Sequence, residues 1–346
     1  MTPGPGTTGR AAPEPAPGVA TGLGTGLAGV PAAGAALRLR DRVLGPDHPV
    51  VMAVVNRTPD SFYAPARYDD AGADAAVARA EEEGADVVDL GGVRAGRGPR
   101  VEPDEEIARV VPLVERVRRR HPDLLVSVDT WRSSVARAAA LAGADLVNDT
   151  WAGHDPELVA VAAEHRLGVV CSHTGGARPR TDPFRVAYPR TSPRLSDEHA
   201  SDERASDEHA SDPLDGVVDD VVATLAAAAR RAVDLGIDPA SVLVDPTHDF
   251  GKNTWHSLHL VRRTSALVAL GHPVLMAFSR KDFVGETLGL PAEERLEGTL
   301  AATAVAAWLG ARVFRAHDVR ATRRTLDMVA AIRADRAPEL AVRGMA

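Results

Sequence analysis

The sequence predicts a closed α/β barrel of eight parallel βα units, a (β/α)8 or TIM barrel in a single domain, on three observations. Eight short apolar runs each stop on a polar side chain. A helix-period amphipathic segment follows every run. The joints between them are short, as parallel βα units require. The competing architecture, a doubly wound open sheet, needs a topological switch and usually a glycine-rich first turn, and no Gly-x-Gly-x-x-Gly follows the first strand.

The first strand, 50–56, runs Val50-Val51-Met52-Ala53-Val54-Val55 into Asn56, which opens the polar loop Asn56-Arg57-Thr58-Pro59-Asp60-Ser61-Phe62. Further strands are expected at 86–91, 124–129, 144–148, 168–172, 242–245, 273–278 and 312–315. Helices are expected at 73–83, 103–120, 132–142, 156–165, 216–235, 255–270, 298–309 and 321–335. Gly84, Gly143, Gly236, Gly271 and Gly310 follow helices, where a left-handed terminal residue stops the helix.

Residues 1–36 are rich in Pro, Gly, Ala and Thr and carry too few large apolar groups to offset the entropy of ordering. A disordered tail is therefore expected there, with the barrel over 37–336 and a C-terminal tail over 337–346. After the fifth strand, Ser196–Asp212 repeats Ser-Asp-Glu-His/Arg-Ala without apolar periodicity, and a disordered acidic insertion is expected over 190–213. Its histidines lack a helix or strand to fix ligand geometry.

At 346 residues and 45% hydrophobic content the chain can bury a full core. The net charge is −8, of which the repeat's seven acids and one arginine supply −6, leaving about −2 elsewhere. No basic stripe with interleaved aromatics occurs, so no nucleic-acid partner is expected. Neither a signal-like start nor a run of about 18 apolar residues is present, so no membrane partner is expected. Cys171 is the single cysteine, which excludes an internal disulfide and a multi-cysteine zinc site and makes a cytoplasmic location the expectation. Cys171 itself is expected to be a small core residue.

In such a barrel the site lies at the carboxyl ends of the strands. Those ends carry Asn56; Asp89; Asp129 and Thr130; Asn148 and Asp149; His173; Asp245; Ser279, Arg280 and Lys281; and Arg315, His317 and Asp318. Asp129, Asn148 and Asp245 suit a heterocycle with adjacent N–H donors, which a carboxylate accepts in a bidentate way. Lys281, Arg315 and His317 offer donors where barrels commonly hold phosphate. A flat, donor-rich ring joined to a phosphate fits this set. No Ser-His-Asp or Cys-His arrangement suggests a nucleophile. Trp151 is expected to be a packing residue, although it follows a strand end from which it could touch a ligand, and His154, His248 and His256 are expected to be exposed loop histidines.

Asn56-x-Thr58-Pro59-Asp60-Ser61-Phe62, Asp89-x-Gly91-Gly92, Ser127-Val128-Asp129-Thr130, Asn148-Asp149, Asp245-Pro246 with Phe250-Gly251-Lys252, Ser279-Arg280-Lys281 and Arg315-x-His317-Asp318-Val319 resemble dihydropteroate synthase in order and spacing. The resemblance spans about residues 50–335. It implies a pterin-binding barrel that joins 6-hydroxymethyl-7,8-dihydropterin diphosphate to 4-aminobenzoate, releasing diphosphate with Mg2+ assistance, and it implies a homodimer. Carried over by position, Asp129, Asn148, Asp245 and Lys281 hold the pterin ring with Arg315 on its face. Asn56 and His317 take the diphosphate, and Asn56 also meets the metal. Asn56, Lys281, Arg315 and His317 are thereby the implied catalytic set, with Phe62, Phe250 and residue 282 on the second-substrate side. Catalysis would consist of stabilising the departing diphosphate and positioning the amine.

The pattern breaks on the acceptor side. The family's Gly-Gly-Glu-Ser-Thr-Arg-Pro-Gly is here Gly91-Gly92-Val93-Arg94-Ala95-Gly96-Arg97-Gly98, losing the arginine that helps hold diphosphate. The serine after Lys281 is Asp282, a carboxylate that would face the carboxylate of 4-aminobenzoate, or alternatively turns outward to cap a helix. Two glycines between Asp245 and Phe250 are replaced in Thr247-His248-Asp249, and Ser172-His173 stands for Met-His. Such breaks resemble the second-copy paralogues of the family in actinobacteria. Three alternatives follow: a working synthase; a paralogue that binds a pterin diphosphate with another acceptor or without chemistry; and another pterin-binding barrel, such as a methyltransferase. The strand-seven and strand-eight motifs argue against the last.

Overall fold

The computed structural model describes residues 34–45, 47–56, 70–181, 187–188 and 214–340, all within the compact unit Pro31–Ala346. Of the tail expected over residues 1–36, residues 1–33 lie outside the described residues, as do the loop 57–69 with Phe62, the acidic repeat at 190–213 and residues 341–346.

Eight parallel strands form one sheet: β3 (Val50–Asn56), β4 (Val87–Gly91), β5 (Leu125–Asp129), β6 (Leu146–Asp149), β7 (Gly168–Ser172), β8 (Val242–Asp245), β9 (Leu275–Met276) and β10 (Val313–Ala316). The order is β8-β7-β6-β5-β4-β3-β10-β9, and a parallel bridge between Val244 and Val274 joins the two outer strands into a barrel. Around it stand α1 (Asp70–Glu82), α2 (Pro103–Arg120), α3 (Ser133–Ala142), α4 (Leu158–Glu164), α5 (Asp215–Asp234), α6 (Thr254–Arg262), α7 (Thr264–Val268), α8 (Asp282–Leu288), α9 (Leu296–Trp308) and α10 (Val319–Ile332). All eight expected βα units are present, and the five stop glycines all have the expected left-handed φ.

Three elements depart from expectation. The segment 255–270 is two helices, α6 and α7, parted at Arg263. A short helix, α8, stands between β9 and α9, where none was expected. A hairpin precedes the barrel: β1 (Leu37–Leu39) pairs antiparallel with β2 (Arg42–Leu44).

The hairpin explains how the barrel bottom is filled. Leu37, Leu39 and Leu44 join Val50, Met52, Val87, Leu125, Leu146, Val170, Leu243, Leu275 and Val313 in one buried cluster inside the barrel. Outward residues of the same strands, such as Val51, Val88, Val126 and Val147, pack under the helices in a separate cluster. Gly168 is required at this floor, since a Cβ there would lie 2.5 Å from Leu39 Cδ2 and 2.8 Å from the Ser241 carbonyl.

Side chains alternate along a strand, so the residue two positions after an inward apolar one stands in the next interior layer up. From Val87, Leu125, Leu146, Val170, Leu243 and Val313 that step reaches Asp89, Ser127, Asn148, Ser172, Asp245 and Arg315. The strand period alone converts a dry floor into a polar layer at the mouth.

Candidate functional site

The mouth is organised by Asp89 and Arg315. Asp89 is fully buried and accepts from Ser127 Oγ (2.6 Å), Asn148 Nδ2 (3.1 Å) and Arg315 Nε (2.6 Å). The guanidinium reaches on to Asp129 Oδ2 at 3.0 Å, and Thr150 Oγ1 donates to the other Asp129 oxygen at 2.9 Å. Burial pushes the Asp129 carboxyl up to about 7, with Arg315 opposing the rise and Asp89 adding to it. Burial works against the charge of Arg315, yet Asp89 and Asp129 together hold its pKa above the usual value. Arg315 is therefore a clamp between two carboxylates in this structure. Ser127 and Thr150 are supports that the strand-end reading passed over.

The ends of β9 and β10 are stapled together, which explains why their motifs occur as a set. Arg280 pairs with Asp318 through a two-point fork, Nε to Oδ2 and Nη2 to Oδ1, both at 3.0 Å. Ser279 Oγ lies 2.9 Å from His317 Nδ1 and accepts the His317 backbone N–H at 3.1 Å. Burial, and then the nearby Arg315, lower the His317 pKa to about 4, so its imidazole is neutral near pH 7. On β3, the strand paired with β10, Asn56 lies against Gly91, where a Cβ would come within 2.7 Å of Asn56 Oδ1. The second glycine-bearing motif thus gives the first strand's amide room to stand.

Between β8 and α6 the chain wraps Lys281. Its ammonium donates to the His248 carbonyl at 2.6 Å and sits 5.2 Å from the Phe250 ring centre. Phe250 stacks edge-on with Trp151 at 5.2 Å, and Trp151 is buried as the packing residue expected of it. Asp245 accepts the Thr247 N–H at 2.7 Å, and burial raises its pKa with Lys281 opposing. At the two positions that lack the family's glycines, Thr247 (φ 49) and Asp249 (φ 70) occupy the left-handed region. That costs of order 1 kcal/mol or more for each residue. His248 and His256 are buried, contrary to the exposed loop positions expected of them, because apolar rings and helix packing enclose them. His248 lies between Phe278 and Phe283, and neither of its ring nitrogens has a hydrogen-bond partner. Lys252, missed as a site residue, is buried and donates to the carbonyls of His173 (2.8 Å), Phe250 (2.9 Å) and Thr247 (3.3 Å).

Asp282 is the first residue of α8, and its side chain, 79% exposed, pairs with Arg295 at 2.8 Å. It therefore points to solvent and a cation. Asp249 reaches α8 in its place, its Oδ2 accepting the N–H groups of Asp282 (2.8 Å) and Phe283 (3.3 Å). In the loop after β4, Arg180 donates to the carbonyls of Gly96 and Pro99, tying Gly92–Arg100 to the segment after β7. Cys171 is buried as expected, and burial pushes its thiol up to about 12.

Residues 52–317 of this chain match the family described as pterin binding enzyme. The chain belongs to that family. Within the pterin-binding family, it is 56% identical over 306 residues to the Mycobacterium leprae protein named inactive dihydropteroate synthase 2, covering 88% of this chain and 98% of that one. It is 33% identical over 288 residues to Bacillus subtilis dihydropteroate synthase, covering 82% of this chain and 88% of the relative. The Coxiella burnetii dihydropteroate synthase, solved in complex with pteroic acid, superposes with a TM-score of 0.71 at 29% identity over 87% of this chain and 99% of that chain. Pterin-binding barrel, dihydropteroate synthase likeness and the inactive paralogue alternative all agree with the sequence reading.

Proposed function

We propose that this chain binds a pterin diphosphate at the barrel mouth and transfers it to 4-aminobenzoate only weakly, as a catalytically impaired member of the dihydropteroate synthase group. The observation that carries the donor half is the set Asp129, Asn148, Asp245, Lys281 and Arg315, all standing on or beside one buried polar layer. Asp129 and Asp245 supply acceptors for ring N–H groups, Asn148 an amide, and Lys281 and Arg315 donors for ring oxygen and nitrogen. The neutral His317 donates to the diphosphate, and Asn56 meets it from the first strand.

Asn56 contributes one hard oxygen, and no group of three or more His, Cys, Asp or Glu among the described residues converges on a metal position. That donor set fits Mg2+, which commonly takes most of its ligands from substrate phosphates and water. Asn56 would hold it, and when bound the ion would neutralise the leaving diphosphate.

The acceptor half supports impairment. Gly96 brings no cation to the diphosphate, and neither Asp282 nor Asp249 offers a donor side chain to an acceptor carboxylate. A cytoplasmic location accords with the single, buried cysteine. Pairing into a homodimer is supported by Val305, Met328 and Ile332, large apolar side chains that stand exposed on the adjacent helices α9 and α10. Light scattering tests it, with a monomer mass as the contrary result.

Calorimetric titration of the pterin diphosphate in magnesium buffer, alongside an assay of dihydropteroate formation, tests the main reading. Binding that is lost in Asp245→Asn, with slow turnover, is expected. Absence of pterin binding in the unmodified protein overturns the proposal.

A further inference from the structure

We propose that Asp249 is a specificity-determining residue that turns the acceptor side of this site away from carboxylates and toward an uncharged primary aromatic amine. The inference rests on the reading above that the donor is a pterin diphosphate.

Asp249 occupies a backbone position that glycine adopts without strain, yet it carries a side chain there at φ 70. Its carboxylate is fully engaged. Oδ2 accepts from the Asp282 and Phe283 backbone N–H groups at 2.8 and 3.3 Å, while Ser257 Oγ lies 3.3 Å from Oδ1 and accepts the Asp249 N–H at the same distance. The residues on either side of Asp249 both hold Lys281, His248 through its carbonyl and Phe250 through its ring. The carboxylate is thus fixed beside the cation that a negatively charged acceptor would approach, and it consumes the first backbone donors of α8. Asp282 adds a second carboxylate next to Lys281 in sequence, so two acids stand against one ammonium. Arg295 offsets Asp282, its guanidinium lying 2.8 Å from the carboxylate. Asp249 is then the acid left at the start of α8, next to Lys281.

An acceptor with a free carboxylate meets like charge here and finds the backbone donors taken. An uncharged amine meets neither obstacle. In the transfer, the amine nitrogen forms a bond to the pterin methylene carbon as the bond from that carbon to the diphosphate oxygen breaks. The electron pair leaves with diphosphate, and the amine proton passes to diphosphate or water, with no change of oxidation state.

The test uses the full chain and two acceptors of one shape, 4-aminobenzoate and its neutral amide, 4-aminobenzamide. Each is titrated calorimetrically into the protein saturated with pterin diphosphate, and into donor-free protein. The unmodified chain is expected to bind the amide about tenfold more tightly, the scale of one like-charge contact near the surface. Asp249→Asn keeps a residue tolerant of this backbone and an oxygen for the α8 N–H groups, and it is expected to bring the two affinities together. Asp282→Asn, which removes an exposed and already paired charge, is expected to move the ratio less. Equal affinities in the unmodified chain, no binding of either acceptor, or an unmoved ratio in Asp249→Asn each overturns the proposal. The donor titration run beforehand reports on the underlying reading separately.

Discussion

Replacing Arg315 by Met removes the cation from the centre of the mouth and leaves the carboxylates of Asp89 and Asp129 facing each other. Asp89 has no exposed surface and keeps only Ser127 and Asn148 as donors, while Asp129 keeps Thr150. Stripping one partner from a buried ion pair typically costs about 3–5 kcal/mol, because the remaining charge has nothing to replace it. Asp129 can lessen this by taking up a proton, since its carboxyl already lies at about 7 with Arg315 present. The sign follows from linkage. A carboxyl raised in the folded state contributes its full stability below its unfolded value and loses it as pH rises through the folded value. Without Arg315 the folded value climbs further, so the deficit of the variant relative to the unmodified chain grows from about pH 6 to about pH 8. Urea denaturation followed by tryptophan fluorescence at both pH values measures it. The double variant Asp89→Asn/Arg315→Met is expected to lose less than the sum of its parts, because the stranded charge is gone. An Arg315→Met variant within about 1 kcal/mol of the unmodified chain at pH 8 would refute the clamp.

Three other outcomes are expected. Leu39→Ala opens a cavity in the barrel floor and should cost about 2–5 kcal/mol in the same denaturation assay, a loss under about 1 kcal/mol contradicting the plug role of the hairpin. Burial lowers the Lys252 pKa to about 7, with Asp245 opposing, whereas the unfolded chain holds that proton to about pH 10.4, so stability should rise with pH between those values. Lys252→Met should abolish that rise and speed amide exchange across residues 245–252, and a slope left intact would show that the ammonium is not responsible. Asp282→Ser combined with Gly96→Arg should leave the melting temperature nearly unchanged, because one side chain is exposed and the other has only the flexible Arg94 near its Cβ position. The pair should raise turnover with 4-aminobenzoate, and unchanged turnover would place the impairment elsewhere.

The barrel was legible because each strand is a continuous apolar run with a polar end, and because glycines mark where helices stop. The hairpin at 37–44 was not, since its strands are three residues each, and Leu37-Arg38-Leu39, although alternating, is too short a run to register. The helix α8 hid because its first residues directly follow the strand-seven motif, and its first-turn N–H groups are capped by Asp249 from another loop. Strand-end polarity named Asp89, Asp129, Asn148, Asp245, Lys281 and Arg315, but not the supporting Ser127, which lies one step below the rim, inside β5, where a polar residue signals only through the inward alternation. Likewise Lys252 and His248 look like loop residues from sequence, and only the fold shows them enclosed.

The hairpin also has a consequence for how the molecule assembles. Its strands precede the barrel in the chain, yet they are held by contacts made much later: Ser241 Oγ donates to the Arg38 carbonyl, and Arg312 donates to the carbonyls of Gly45 and His48. These ties span separations of 203 to 267 residues. During synthesis the plug leaves the ribosome before any of its sockets exist, and closing such long loops is entropically slow. The segment made early is therefore seated late, and the floor of the site seals only when the eighth barrel strand arrives.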